Sequence, residues 1–366
     1  MKLTEGHQYH LELPASDQFT WPTSISLEVA AGAELILSSQ LLKRAVIAAD
    51  AGSTQPWLIQ LQPGSRLEID GILVTLPIRV ESVPRELNSL SQQSKGTERL
   101  TTTASPCSTG SSMNGSTGTS GSVDRLPELT FRHSTLMHRP GDEQPVLTIT
   151  GEGLRLHFAS CRTGQISIED SPLSAGQCPR RPFDIQMQDT IWAATLSPLV
   201  EVVSPRPSVR LTVARSTLLG SLELEGPLIG EDSVFLSDVN VHRYDQGYLR
   251  HCYVYIHEHS ERRTPLRYRC VPSYSATVPE VIKPEELFVS LDPTHPGYAQ
   301  LRHTVSQKIL RGAEDESEMG AFHDEFFPQR KAVLESRLSE FTPADAVAHL
   351  LIADDLPPTP VQLDRH

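Results

Sequence analysis

Apolar and polar residues alternate along most of the first 250 positions. The alternation is clear at Leu35 and Leu37, at Leu67 and Ile69, and at Leu156-His157-Phe158. A period of two places successive side chains on opposite faces of a strand. The pattern therefore predicts many short, half-buried strands, and few helices before residue 290.

Five of these runs recur at intervals of 23 to 29 residues. Aligned on their last apolar residue, they end at Phe131, Phe158, Met187, Val213 and Leu236. Several strands per unit of this length are typical of a parallel β-helix, whose stacked rungs share one core. We therefore predict a right-handed parallel β-helix over residues 1–250. A β-sandwich is the alternative, although Asp70-Gly71 is nearly the only hairpin-type turn in the strand regions.

Two regions depart from the alternating pattern. Ser, Thr and Gly supply 22 of the 36 residues in 88–123, and such a composition predicts a flexible insertion. A linker between two domains is the alternative for this segment. We predict a junction of strands and loops over residues 251–290, followed by an acidic helical region over residues 291–366.

Two apolar stripes with helical spacing support the prediction of a helical C-terminal region. The first contains Tyr298, Leu301, Val305 and Ile309, and the second contains Val333, Leu334, Leu338 and Phe341. Thr342 followed by Pro343 is typical of a helix start, so a further helix is predicted from this point.

Charge and composition narrow the possible functions. The chain carries 45 acidic and 32 basic residues, a formal net charge of −13, which argues against nucleic-acid binding. No apolar run is long enough for a transmembrane helix. The N-terminus has no signal-peptide pattern, so we expect cytoplasmic synthesis. The five cysteines fit neither a disulfide framework nor a CxxC site.

Candidate catalytic groups are sparse. Two residues beyond the aligned apolar positions stand His133, Ser160, Asp189, Arg215 and Asp238. The acidic members do not fall on adjacent repeats, and Asp170 has no acidic counterpart, so we predict no catalytic residue. His251, His257 and His259 could lie on one strand face, but nothing clearly completes a zinc site, although Cys270 could fold back. A polar outer face with a buried Cys252 is the better interpretation, and we expect no metal or cofactor.

A basic strip precedes the acidic region. Five arginines lie between Gly247 and Cys270, against Glu258 and Glu261. A basic strip beside an acidic helical region indicates docking within the chain or contact with another protein.

Two segments then become recognisable. One is Gly247-Tyr248-Leu249-Arg250-His251-Cys252-Tyr253-Val254 with Arg263-Thr264-Pro265-Leu266-Arg267-Tyr268-Arg269-Cys270, and the other is the run from Ile309 through Arg311-Gly312-Ala313-Glu314-Asp315 to His323. Together they resemble the C-terminal region of bacterial right-handed β-helix proteins associated with phage-tail-like contractile injection systems. The stretch Tyr255–His259 departs from that pattern.

The resemblance implies a non-catalytic structural or accessory component of a phage-tail-like particle, at its baseplate or a fibre. Its partners would be other proteins of the assembly, with a homo-oligomer as a further possibility. The predicted contact residues are Arg262, Arg263, Arg267, Arg269, Glu314, Asp315, Glu318, Met319, Phe322 and His323. The alternative is a carbohydrate-active or carbohydrate-binding β-helix protein, for which Trp21, Trp57 and Trp192 could supply aromatic platforms.

Overall fold

The chain winds into a solenoid of parallel strands. A computed structural model describes residues 3–14, 18–21, 26–40, 44–49, 55–83, 125–137, 144–151, 153–169, 182–193, 209–237, 239–256, 264–273, 284–343, 346–348 and 350. The predicted insertion at 88–123 lies outside these residues. Each described turn of the solenoid contributes one strand to each of two ten-stranded sheets, and five of the turns add a strand to a third sheet.

The strands are numbered in chain order. Sheet 1 contains β1 (Gln8–Leu13), β4 (Glu34–Ser39), β7 (Arg66–Asp70), β10 (Glu128–Arg132), β13 (Arg155–Ala159), β16 (Phe183–Gln188), β18 (Val209–Ala214), β21 (Leu228–Glu231), β24 (Tyr248–Arg250) and β26 (Leu266–Tyr268). Sheet 2 contains β2 (Gln18–Trp21), β5 (Ala45–Ala49), β8 (Ile72–Val74), β11 (Thr135–Leu136), β14 (Arg162–Thr163), β17 (Ile191–Trp192), β19 (Thr217–Leu218), β22 (Val234–Phe235), β25 (Tyr253–Val254) and β27 (Val271–Pro272). Sheet 3 contains β3 (Leu27–Val29), β6 (Trp57–Leu61), β9 (Ile78–Ser82), β12 (Leu147–Gly151) and β15 (Ile166–Glu169). A fourth sheet contains only β20 (Leu222–Leu224) and β23 (Val239–Val241).

The alternating residues of the strands fill one continuous core. Leu67 and Ile69 of β7 are fully buried, as are Leu129 and Phe131 of β10. Because the rungs are in register, Phe131 pairs with Phe158 of the next rung, and their rings stack with centroids 5.3 Å apart. The predicted parallel β-helix is therefore confirmed.

The sequence alignment of the repeats is wrong at its last member. Val213 pairs with Gly230 of β21, whereas Val234 and Phe235 pair into sheet 2. Gly230 carries no apolar side chain, so the pattern of this rung is hidden in the sequence. A Cβ at Gly230 would lie 2.4 Å from Leu249 and 3.3 Å from the ring of Phe235, so the neighbouring side chains fill the space that Gly230 leaves.

The outer face of sheet 1 carries alternating charges on successive rungs. Arg66 lies 3.6 Å from Glu34 and 3.4 Å from Glu128, and Arg155 lies 3.9 Å from Glu128. Partly exposed pairs of this kind each contribute little stability. Their alternation favours the observed order of the rungs, because pairing a strand with the rung beyond its neighbour would bring like charges together.

Beyond residue 250 the ladders of sheets 1 and 2 continue through β25, β26 and β27. After them come α1 (Pro284–Leu287), α2 (Gln307–Leu310), a 3-10 helix (His323–Glu325) and α3 (Phe327–Phe341). In the described part of the chain, no helix is both long and apolar enough to cross a membrane.

The helical predictions for this region have mixed outcomes. The stripe from Val333 to Phe341 lies in α3, as predicted. The stripe from Tyr298 to Ile309 is mostly irregular chain, and only its end belongs to α2. Thr342 ends α3, because its N–H bonds the carbonyl of Leu338, and residues 346–348 are not helical.

Candidate functional site

A corner between sheets 1 and 2 repeats on eight consecutive rungs. One residue per rung adopts a left-handed conformation, with φ between 46° and 71°. These residues form the turn ladder: Gly71, His133, Ser160, Asp189, Arg215, Asp232, His251 and Arg269. Asp232 therefore occupies the place that the sequence alignment gave to Asp238, which lies outside the described residues. Polar side chains are thus stacked along the edge of the solenoid.

On the seven rungs after Gly71, the residue that follows the turn residue points inward and forms a second ladder. This inner ladder contains Ser134, Cys161, Thr190, Ser216, Ser233, Cys252 and Cys270. The Ser216 hydroxyl donates to the carbonyl of Ala214 at 2.8 Å and accepts the N–H of Thr190 at 3.1 Å. Ser233 accepts the N–H of Ser216 in the same way, at 3.1 Å. Each hydroxyl thus satisfies backbone groups that the corner would otherwise leave unpaired inside the protein.

The inner ladder explains three of the cysteines. The thiols of Cys161 and Cys252 donate to the carbonyls two residues earlier, Ala159 and Arg250, at 3.2 and 3.1 Å. Burial raises the pKa of the Cys161 thiol to about 11 and also raises the pKa of Cys252. These thiols therefore replace serine hydroxyls structurally, and the thiolate form that reacts is disfavoured.

Replacing Ser216 by alanine should lower the free energy of unfolding by about 2 kcal/mol, because the Thr190 N–H loses its buried partner. Ser216→Cys is the matched control, since cysteine already occupies this place on three rungs. Chemical denaturation of both variants measures the difference. Equal stability of the alanine and cysteine variants would contradict this role for the ladder.

Residues 309–323, here called the motif segment, dock on the turn ladder. The Asp232 carboxylate accepts the N–H of Glu314 at 2.9 Å, and its backbone carbonyl accepts the N–H of Gly320 at 2.8 Å. The Thr217 hydroxyl accepts the N–H of Ala321 at 3.0 Å. The segment is thus held largely through its backbone by side chains and a carbonyl of two successive rungs.

An apolar cluster joins the same segment to the outer face of sheet 2. Val234 and Tyr253 of this face are fully buried. The residues that cover them include Leu287, Phe288, Leu301, Ile309 and Met319. The prediction of a polar outer face around Tyr253 is therefore wrong, although Cys252 is buried as predicted. His251 is a turn residue rather than a strand residue.

A hydrogen-bonded set of three polar residues lies inside the motif segment. The Ser317 hydroxyl donates to Asp315 at 2.6 Å and lies 2.8 Å from Nδ1 of His323, while Nε2 of His323 lies 3.3 Å from Asp315. Burial alone would raise the pKa of Asp315, but hydrogen bonds from Ser317 lower it overall. Ser317 is fully buried and already donates its proton. The set therefore has the composition of a catalytic triad, but the Ser317 hydroxyl donates its proton to Asp315 rather than to a ring nitrogen of His323.

Glu318 is buried beside this set, with 1% of its surface exposed. Burial, together with the negative charge of Glu325, raises the pKa of Glu318 to about 8. The folded chain therefore holds this proton more tightly than the unfolded chain. Stability should fall as the pH rises from the ordinary carboxyl range towards 8, and the contribution should level off above it.

Glu318→Gln should accordingly raise the melting temperature relative to the parent chain at pH 8.5 and change it little at pH 5. Glu316→Gln, on an exposed neighbour in the same segment, is the control. Thermal melts at the two pH values measure the effect. A melting-temperature difference that does not vary with pH would refute the assignment of this proton to Glu318.

The structure places the predicted contact residues that it describes in four groups. Glu318, Met319 and His323 are buried within the chain. Glu314 and Asp315 remain partly exposed, and Glu314 lies 3.4 Å from Arg250. Phe322 packs partly buried against the apolar cluster. Arg267 and Arg269 are exposed, whereas Arg262 and Arg263 lie outside the described residues.

Comparison of the chain with protein-family models, with curated proteins and with solved structures finds no match.

Other candidate groups from the sequence do not converge. Among the described residues no three metal-ligating side chains form a cluster, and His257, His259 and Asp170 lie outside that part of the chain. Asp189 pairs with Arg215 at 2.8 Å. Trp57 is fully buried and Trp192 nearly so, so neither offers a platform for a sugar.

Sequence reasoning missed the inner ladder and the central role of Asp232. The signal was available in the triplets that end the strands, such as Gln188-Asp189-Thr190 and Ala214-Arg215-Ser216. Each carries a small hydroxyl or thiol residue at its third position. The misaligned rung at Leu236 hid the continuation of this pattern to Asp232 and Ser233.

Proposed function

We propose that this chain is a non-catalytic structural component of a phage-tail-like contractile injection particle, at its baseplate or a fibre, and acts through protein–protein contacts. The sequence support is the resemblance of the two segments 247–270 and 309–323 to the C-terminal region of β-helix proteins associated with such systems. The partners would be other proteins of that assembly.

One structural observation carries the proposal. Three polar side chains of the motif segment that could carry chemistry make contacts within the chain instead. Asp315, Ser317 and His323 bond one another, and Asp232 accepts from the backbone of the segment. Such internal contacts favour a role for the segment as a junction between the solenoid and the C-terminal region rather than as a reaction centre.

The solenoid itself suits a scaffolding role. Its strands pair along the axis over ten rungs in sheets 1 and 2, and such stacking gives an elongated unit in which each rung contacts only its neighbours. The exposed basic residues at the last rung, Arg267 and Arg269, are our candidates for the surface that contacts another component of the particle.

The test is recovery of the assembly from the native host. A tagged chain should co-sediment with sheath, tube or baseplate proteins identified by mass spectrometry and imaged by negative stain. R267E/R269E should reduce that recovery, because it reverses the charge of the proposed contact surface. R243E/K308E is the control, since it makes the same change in net charge at two other exposed basic residues outside both segments. Recovery of the tagged chain alone would refute the proposal.

A second candidate, carbohydrate binding, has one specific observation in its favour. A cleft of about 530 Å³ lies beside sheet 1, and its lining includes Arg66, Arg125, Arg155, Glu34 and Glu128. Three guanidinium groups and two carboxylates could bind hydroxyl and carboxylate groups of an acidic glycan. Affinity electrophoresis in acidic polysaccharides tests this: Arg125→Ala should lose retardation, while Arg243→Ala should keep it. Equal migration of both variants with and without polysaccharide would remove this candidate.

A further inference from the structure

Helix α3 is 15 residues long and buries none of its residues. The hydrogen bonds and ion pairs that tie it to other described residues come from its first turn. Gln329 donates to the carbonyl of Glu316 at 3.1 Å, and Arg330 lies 2.7 Å from Glu325. Isolated helices of this length are marginal in water, because nucleation is costly and tertiary packing normally supplies their stability. The helix therefore lacks a packing partner within the described chain.

Four apolar side chains of α3 lie on one face, whereas the exposed Val333 lies off it. Phe327, Leu334 and Phe341 recur every seven residues, with Leu338 between the last two. Leu334 is 48% exposed and Phe341 is 81% exposed. Of the nine large apolar side chains that are exposed among the described residues, five fall between 326 and 347. Leu334 and Phe341 of this face are among the five. Two large exposed apolar side chains on one face of a helix that buries none of its residues mark that face as a contact surface.

The spacing of this face matches a short heptad seam. Phe327, Leu334 and Phe341 take the d positions, and Lys331 and Leu338 take the a positions. Arg330 then falls at a g position and Glu335 at the following e position. In a parallel pair of such helices, the g residue of one chain lies beside the next e residue of the other, so Arg330 would face Glu335 of the second copy, twice.

We propose that α3 pairs in parallel with α3 of a second copy of this chain. The flanking charges are complementary to themselves only in that orientation, since an antiparallel pair would place Glu335 beside Glu335 and Arg337 beside Arg337. Lys331 in the seam lowers the affinity, and a single lysine at an a position is a known determinant of register and oligomer state. The pairing is independent of the particle in which the chain acts.

Sedimentation equilibrium of the full chain, from low to high micromolar concentration, tests the pairing. We expect a monomer–dimer equilibrium. Leu334→Asp combined with Leu338→Asp should raise the dimer dissociation constant by at least about tenfold. Ser336→Asp, on the opposite face of α3, is the matched control and should leave it unchanged. A chain that stays monomeric throughout, or a dimer that survives the double substitution, overturns the proposal.

Charge reversal tests the orientation. Glu335→Arg should weaken the dimer, because it opposes Arg330 of the second copy. Arg330→Glu alone should weaken it too, and it also removes the contact with Glu325. The double variant recreates the pair with the charges exchanged, so it should associate more tightly than Arg330→Glu alone. Helicity measured by circular dichroism at the same concentrations reports whether α3 still forms. A double variant that associates no more tightly than Arg330→Glu alone, with helicity retained, overturns the parallel arrangement.

Discussion

Replacing Gly320 by valine is expected to release the motif segment from the solenoid. Gly320 has φ of +101°, a conformation that only glycine adopts readily. A Cβ there would lie 2.7 Å from the Thr217 hydroxyl and 3.2 Å from Val234. Strain and overpacking together should cost about 3 kcal/mol. Hydrogen exchange of residues 309–323 should therefore accelerate roughly a hundredfold, while the strands before β17 keep their protection.

Ala321→Val is the control for this release. Ala321 is the next residue along the backbone, is partly exposed and does not adopt a positive φ. It should keep the slow exchange of the segment, even though it gains a larger side chain. If exchange in residues 309–323 is as slow in Gly320→Val as in the parent chain, then docking does not depend on the close approach at Gly320.

Replacing Phe158 by alanine should lower the free energy of unfolding by about 4 kcal/mol. Phe158 is 1% exposed and its ring stacks on that of Phe131, so the substitution leaves a cavity in the core and removes this stacking contact. Chemical denaturation measures the loss. In contrast to Gly320→Val, protection should fall in the strands of the core around β10 and β13.

Phe158→Leu is the matched variant for the core. It keeps much of the apolar volume and should cost well under half as much as alanine. An alanine variant as stable as the leucine variant would mean that the rungs collapse to fill the space, contrary to the close packing of a register-locked solenoid.

The fold could be predicted because the solenoid imposes a simple rule on its strands. Residues such as Leu67 and Ile69 point into a shared core, and the charged residues between them point outward, so alternation in sequence follows directly from the architecture. The rule fails at Gly230, where neighbouring side chains supply the apolar volume that the rung itself lacks. A single sequence does not indicate that a glycine stands for an apolar residue.

The C-terminal region was harder to predict for a different physical reason. Tyr298, Leu301 and Val305 have helical spacing, but they are buried because they cover the outer face of sheet 2. Short isolated bridges, such as that between Phe288 and Leu301, replace a helix there. The spacing of apolar residues along the chain indicates that they share one buried side of the segment. The backbone conformation is decided by the shape of the surface that these residues cover.

The candidate site was predictable in part. The motif segment stood out in sequence, and docking within the chain was one of two interpretations of its charges. Its dependence on Asp232 was not foreseeable, because the carboxylate and the carbonyl of Asp232 accept backbone N–H groups of the segment, and such contacts leave no mark on residue spacing.

The C-terminal segment formed by residues 284–323 also has a mechanical consequence. The carbonyl of Pro293 and the ring of Tyr298 contact Arg162 of β14. Ala321 contacts Thr217 of β19, and the apolar cluster contacts Tyr253 of β25. These contacts are spread along the axis of the solenoid, so the segment bridges several rungs from the outside. A pull along the axis loads the hydrogen bonds between rungs directly, and between β14 and β25 the rungs cannot separate until the bridging contacts have also broken. This part of the solenoid should therefore be the last to separate under tension.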